Sequence, residues 1–206
     1  MVDIETIDDL DEVKILGYFE TIQGTFLLKL CLLGTVLKTV RGVMRLDPSI
    51  IDRGVLAALK KHYPGESTFF RALDRGNPEL RMNLHEDIVS SLHIQSWIVF
   101  EQIIRHLSFP NYAHDPKERS LSYKRSIFEF SSREKKDLDL FYYLRNSLLH
   151  YNGAYYASKD IRHRYNGLDF NSKGNEGIKM PANIDTVWLM SKDLERLACQ
   201  AWTKTR

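Results

Sequence analysis

The chain has 206 residues, 43% of them hydrophobic and 27% charged, with a formal net charge of +2. That length supplies one domain, or one domain with an extension, and can bury a real core. So mild a charge excludes a broad electrostatic glove for nucleic acid, and any nucleic-acid site must be local. Cys31 and Cys199 are the only cysteines. Two distant thiols exclude a disulfide scaffold and a Cys-x-x-Cys metal site, and they point to a reducing, cytoplasmic setting.

The first twelve residues are acidic (Asp3, Glu5, Asp8, Asp9, Asp11, Glu12), the wrong sign for the n-region of a secretory signal. From Asp11 to about Met44 apolar residues recur at three-four spacing, which predicts a helix with Gly24 and Gly34 as kink points. Phe26 to Leu37 is the greasiest run. Lys29 interrupts it and it is too short to cross a bilayer, so it reads as a buried core or interface helix, with no membrane partner expected. Asp47-Pro48-Ser49 opens a helix through Leu56, Leu59 and His62 to Pro64-Gly65. Residues 63 to 78 read as a loop, with a short turn at Phe69-Phe70-Arg71. A long helix is expected from Pro78 to about Leu107, then a loop from Phe109 to Lys117. A ragged helix follows over Arg119 to Phe130, and Leu121 to Phe130 is the one place where a short strand fits.

The next helix is predicted from about Ser132 to Tyr151, with room to reach Ser158. Ser131 or Ser132 can cap it, and Glu134 stands where a capping box needs its acidic partner. Asn166 to Asn183, rich in Gly and Asn, reads as a mobile loop. A last helix begins near Asp185 and carries Val187, Met190, Leu194, Leu197, Ala198 and Trp202. The reading is all-α, with no strong strand, internal repeat or low-complexity tract.

Arg145-Asn146-Ser147-Leu148-Leu149-His150-Tyr151-Asn152-Gly153 closes the helix that starts near Ser132. Phe141, Tyr142, Leu144, Leu148 and Leu149 are expected to form its buried stripe. Asn146 and His150 are four apart and share a face. Arg145 lies about 140° away around the helix from His150, but its long stem can swing toward the imidazole. The expectation is a cleft lined by all three, with Asn146 orienting a ring nitrogen of His150. A helix with a merely polar edge, Arg145 in solvent and His150 satisfied in the core, fits the same spacing.

Other chemistry is thin. His85-Glu86 lacks the second His of a zincin helix. His106 and His114 have no carboxylate or thiol cluster to complete a metal site. No Gly-rich phosphate loop is present. Glu101 reads as an ordinary helix pair with Arg105. Arg162-His163-Arg164, after Tyr155-Tyr156 and Lys159, interleaves cations with aromatic rings, a composition that suits a single nucleic-acid strand. A solvated charged turn fits it equally well.

Arg145-x4-His150, with Asn146 directly after the Arg and Asn152-Gly153 close behind, resembles the signature of the HEPN superfamily. Trp97-Ile98-Val99-Phe100-Glu101-Gln102-Ile103-Ile104-Arg105 on the earlier long helix is also similar to the family's pattern. The resemblance covers residues 80 to 200, in round numbers. It implies an all-α, HEPN-like helical bundle over residues 76–206 and says little about residues 1–75, whose own pattern reads as an additional N-terminal helical region.

The resemblance also implies a metal-independent RNA endonuclease acting as a homodimer, as a toxin or phage-defence effector. The implied catalytic residues are Arg145, Asn146 and His150. Tyr151, Lys159, Arg162, His163 and Arg164 would hold the RNA, with no metal and no cofactor. Without a metal to make hydroxide, a phosphodiesterase needs a built-in nucleophile, which RNA supplies in its 2′-OH. Imidazole can move that proton near neutral pH, and a guanidinium can neutralise the charge growing on the phosphate. One His cannot easily be base and acid in one step, and a second copy across a twofold axis supplies the other. Some such toxins pair with a nucleotidyltransferase antitoxin that modifies the Tyr of a His-x-Tyr extension. Here Tyr151 follows His150 directly and position 152 is Asn, a departure from that pattern. The alternative is a non-catalytic HEPN-like module that binds a nucleotide or a partner protein.

Overall fold

The computed structural model of the chain describes residues 10–40, 43–46, 78–108, 126–157 and 160–205. These residues are mostly helical. In chain order they form α1 (Glu12–Val36), β1 (Leu37–Val40), β2 (Val43–Leu46), α2 (Pro78–Ser108), α3 (Ser132–His150), β3 (Arg162–Tyr165), β4 (Leu168–Asn171) and α4 (Ile184–Lys204). The expected helix from Asp47, the loops at 63–78 and 109–117 and the segment from Arg119 to residue 125 lie outside the described residues, as does the expected boundary at 75/76. Two compact units emerge, one of Met1–Gln23 with Ser90–Arg206, the other of Gly24–Val89.

The second unit contains α1 from Gly24 on, the antiparallel pair β1–β2 and α2 up to Val89. Leu37 stands opposite Leu46, and Val40 opposite Val43. The expected helix to Met44 therefore stops at Val36. Thr39, Val40 and Val43 are β-branched, stiff at χ1 and better suited to a pleated ladder than to a helix. Gly24 and Gly34 are both inside α1 as assigned, so neither ends it.

The first unit holds a core of large side chains. Ile15 and Phe19 of α1, Leu92, Trp97, Phe100, Ile103 and Ile104 of α2, and Leu138, Leu140, Phe141 and Leu144 of α3 are all buried. α4 adds Val187, Met190, Leu194, Leu197, Ala198 and Ala201, the three-four stripe its sequence predicts. Trp97 packs on Tyr142 with ring centroids 5.6 Å apart. Burying each such side chain contributes about 1.5–3 kcal/mol relative to leaving it in water. A hydrogen-bonded polar layer crosses this core. Gln23 Nε2 donates to Ser191 Oγ at 3.2 Å and to Glu195 Oε2 at 2.8 Å, and the Ser96 and Ser191 hydroxyls pair at 2.8 Å.

The start of α3 is set by a capping box. Ser131 Oγ accepts from the Glu134 N–H at 3.2 Å, while Glu134 Oε2 accepts from the Ser131 N–H at 2.8 Å. Arg196 of α4 then pairs with Glu134 at 2.8 Å, joining the two helices at that end. Before the cap, Ser126–Phe128 forms a 3-10 turn within the stretch expected to be a helix or ragged segment, where a short strand also fitted. Phe128 and Phe130 both pack inward, stacked at 5.6 Å, which strand alternation across the intervening exposed Glu129 would also allow. Glu129 at φ 51°, however, breaks the extended backbone.

The expected loop from Asn166 to Asn183 begins instead inside a hairpin. β3 and β4 pair antiparallel, with Tyr165 opposite Leu168 across Asn166-Gly167. Both turn residues have positive φ, 47° and 76°, as a two-residue type I′ turn requires. The all-α expectation thus holds for the bulk of the described chain and is corrected at two hairpins. No described helix is long and apolar enough to cross a membrane.

Candidate functional site

α3 ends where the candidate site begins. The Tyr151 N–H caps the last turn by donating to the Ser147 carbonyl at 2.8 Å, and the Gly153 N–H donates to the same oxygen at 3.0 Å. Asn152 and Gly153 follow in left-handed conformation, φ 51° and 76°. Asn tolerates that region and Gly adopts it freely, so the chain reverses here and the helix does not run on to Ser158. A Cβ on Gly153 would also meet Leu148 Cδ2 at 3.4 Å. The returning strand is pinned by a short ladder. Met180 N–H donates to the Gly153 carbonyl, Tyr155 N–H to Ile178 and Gly177 N–H to Tyr155, each at 2.9 Å.

On the last turns of α3, Arg145 and Asn146 are half-buried and His150 is exposed. Arg145 Nη1 donates to Asn146 Oδ1 at 2.7 Å. Arg145 Nε is buried with no hydrogen-bond partner among the described residues. Asn146 was expected to orient a ring nitrogen of His150, but no hydrogen bond joins the two side chains. The Asn146 side-chain oxygen is taken by the neighbouring guanidinium, because a charge-assisted bond is stronger than a neutral one. The His150 ring stands edge-on to Tyr151, centroids 6.3 Å apart at 78°. It therefore is not the satisfied core histidine of the plainer reading.

The expected buried stripe of α3 is shifted. Leu149 is 44% exposed and Tyr142 and Leu148 are only half-buried, whereas Asp137, Tyr143 and Ser147 are buried. Ser147 takes a core position because its hydroxyl donates to the Ala154 carbonyl at 2.7 Å. Asp137 does so because His163 Nε2 bonds its Oδ1 at 2.5 Å.

That bond decides where the basic segment lies. Along β3 the side chains alternate, so Arg162 and Arg164 face solvent while His163 and Tyr165 face inward. His163 was expected among the RNA-holding residues, but its imidazole is turned into the protein against Asp137. Tyr165 donates to Asp193 Oδ2 at 2.7 Å, and its burial together with that carboxylate pushes its hydroxyl far above the usual tyrosine range. The hairpin is thus clamped to α3 by one inward residue and to α4 by the other. Arg164 lies 3.8 Å from Asp169, and both are mostly exposed. Lys159 lies outside the described residues. Glu101 pairs with Arg105 at 2.8 Å, the ordinary helix pair expected for it.

Three tyrosines stack beside the motif. Tyr143 and Tyr156 lie 4.2 Å apart at 5°, and Tyr156 and Tyr151 4.4 Å apart at 8°. The Tyr143 hydroxyl donates to the Tyr156 carbonyl at 2.6 Å and accepts from the Tyr156 N–H at 2.7 Å. Burial raises the Tyr143 hydroxyl above its ordinary range, opposed by the bond to Tyr156 and aided by the nearby charge of Glu176. Tyr156 as the ring partner of Tyr151, and Tyr143 behind it, were not anticipated. Tyr155-Tyr156 next to Tyr151 was the visible signal, but the contact to Tyr143 closes through a chain reversal.

Comparison with protein-family models, with curated proteins and with solved structures finds no match. The site must therefore be read from its own chemistry. It offers a guanidinium and an amide bonded to each other, an accessible imidazole, and an exposed aromatic ring next to it. Among the described residues, no three of His, Cys, Asp and Glu stand close enough together to hold a metal ion. Cys199 is a free thiol on α4, raised above its ordinary range by burial.

Proposed function

We propose that the chain is a metal-independent RNA endonuclease of the HEPN type, working as a homodimer in the cytoplasm, as a toxin or phage-defence effector. The observation that carries this reading is a half-buried Arg145 bonded to Asn146, followed on the same helix by an exposed His150. His150 takes the proton from a ribose 2′-OH as O2′ attacks the adjacent phosphorus. The P–O5′ bond breaks, and O5′ leaves with a proton delivered by the second copy's motif. Arg145 neutralises the non-bridging oxygens as charge builds on them; its bond to Asn146 uses Nη1 alone and leaves the other donors of the fork. The products are a 2′,3′-cyclic phosphate and a 5′-OH. Arg162 and Arg164, on the solvent face of β3, suit the flanking phosphates. An antitoxin such as a nucleotidyltransferase fits this role, although the His150-Tyr151-Asn152 order argues against tyrosine modification as the means of inhibition.

A second reading is favoured by one observation. Asn146 Oδ1 accepts from Arg145, and no described side chain hydrogen-bonds the His150 ring within one chain, as a non-catalytic nucleotide- or protein-binding module would permit.

The experiment is incubation of the purified protein with tRNA and mRNA in EDTA. Wild type cleaves, and His150→Ala loses about 10²- to 10⁴-fold in rate, the usual worth of a general base. A 2′-deoxy nucleotide just 5′ of a cut blocks that cut alone. Arg145→Lys keeps the charge but loses the bidentate fork and most of the activity. RNA bound without cleavage by wild type selects the second reading; cleavage unchanged in His150→Ala removes the assigned mechanism.

A further inference from the structure

We infer that the Tyr143–Tyr156–Tyr151 stack is a preformed platform for one unpaired nucleobase, with Tyr151 presenting the receiving ring; this rests on the reading that this end of α3 faces RNA. The innermost ring is fixed. Tyr143 is 1% exposed, and its hydroxyl holds both the N–H and the carbonyl of Tyr156. The outermost ring is open. Tyr151 is 49% exposed, one of its faces lies on Tyr156, and no described aromatic ring stacks on the other.

The backbone under the ring is equally set. Tyr151 N–H and Gly153 N–H share the Ser147 carbonyl, and Gly153 is tied to Met180. A ring already held in place loses little freedom when a base lands on it, so more of the stacking energy appears as affinity. Every base has a π-face, so the platform selects for an accessible face rather than for a sequence. Bases inside a duplex have both faces covered by their neighbours, which restricts the platform to single strands, loops and ends.

The acidic neighbour of the stack, Glu176, acts on its buried Tyr143 end, whereas basic residues precede its open end in the chain. Arg145 and His150 precede Tyr151 on α3. Asn171, the register partner of Arg162, donates its N–H to the Tyr155 hydroxyl at 3.2 Å. That bond ties the Arg162 end of the hairpin to the segment carrying Tyr156. The His150 ring stands edge-on beside Tyr151, so the stacked base belongs to a nucleotide flanking the cut.

The test uses the full chain and a short single-stranded 2′-O-methyl oligouridylate carrying one central 2-aminopurine, which has no 2′-OH to attack. Wild type quenches the 2-aminopurine on binding, and Tyr151→Phe does the same. Tyr151→Leu weakens binding by about 5- to 150-fold, the range for loss of one base–aromatic stack. Tyr156→Leu, which removes the supporting ring, also weakens it, with thermal melting checking that both variants are folded. The same oligonucleotide annealed to its complement, where the base is already stacked, does not compete for binding at equal concentration. Wild-type affinity in folded Tyr151→Leu, equal competition by the duplex, or no binding by wild type overturns the platform. Quenching with no cleavage of unmodified RNA keeps the platform and removes the nuclease.

Discussion

His93 of α2 is fully buried, and its Nε2–H donates to the Phe141 carbonyl at 2.8 Å. Its Nδ1 is buried with no partner among the described residues, so a second proton there would have nothing to accept it. Burial pulls its pKa down from the ordinary 6.5 to about 4, against the smaller upward pull of the Phe141 bond. The unfolded chain therefore binds this proton near pH 6.5 and the folded chain only near pH 4. Between those values the unfolded state holds more protons, and stability falls as pH falls. The loss saturates at about 3 kcal/mol for this one group. Urea unfolding of wild type and His93→Gln at pH 7 and at lower pH should show a shallower acid loss in the variant. The Gln amide can still donate to Phe141 but does not titrate. Equal slopes in the two proteins would mean that His93 is not held neutral. His163 and His150 carry the same ring to other ends: one is bound to Asp137 and inward, the other exposed beside Tyr151. Nothing in the residue type separates these three environments; the partners do.

α3 shows what a local pattern can and cannot tell. Its start was legible, because Ser131 and Glu134 form their capping box within four residues of chain. Its apolar stripe was legible in period but not in phase. Leu144, at 1% exposed, is core, whereas Leu149, at 44%, is not. Apolar spacing alone would not place Asp137 and Ser147 inside, since each is admitted by a partner beyond the end of the helix, His163 and the Ala154 carbonyl. Leu144→Ala should thus cost about 2–5 kcal/mol in denaturant unfolding, as deletion of a buried Leu does. Leu149→Ala should stay within about 0.5 kcal/mol, the range of surface changes. A comparable loss at both positions would put Leu149 in an interface. The hairpin β3–β4 carried a readable signal, Asn166-Gly167 between alternating His163, Tyr165 and Phe170, the pattern of a type I′ turn. It was obscured because two of its inward residues are polar and are satisfied only by Asp137 and Asp193.

At the scale of the whole molecule, the proposed chemistry asks for two imidazoles, and one chain places a single exposed His in the motif. Within that chain Asn146 Oδ1 is taken by Arg145 and no described side chain hydrogen-bonds the imidazole. The proposed homodimer supplies both a second ring and the surfaces that would orient each one. A formal charge of +2 per chain puts little self-repulsion in the way of such pairing. In a twofold dimer the same patch faces itself, so the Arg145 of one copy can serve the His150 of the other. Arg145→Ala and His150→Ala proteins should each be inactive alone. At constant wild type, excess His150→Ala allowed to exchange subunits should suppress cleavage, because a mixed dimer holds one imidazole where the chemistry asks for two. Light scattering at the assay concentration should give twice the mass of the chain. Full activity from a monomer, or undiminished cleavage in a mixture shown to have exchanged, would place a complete site within one chain, and the proton for O5′ would then have to come from water.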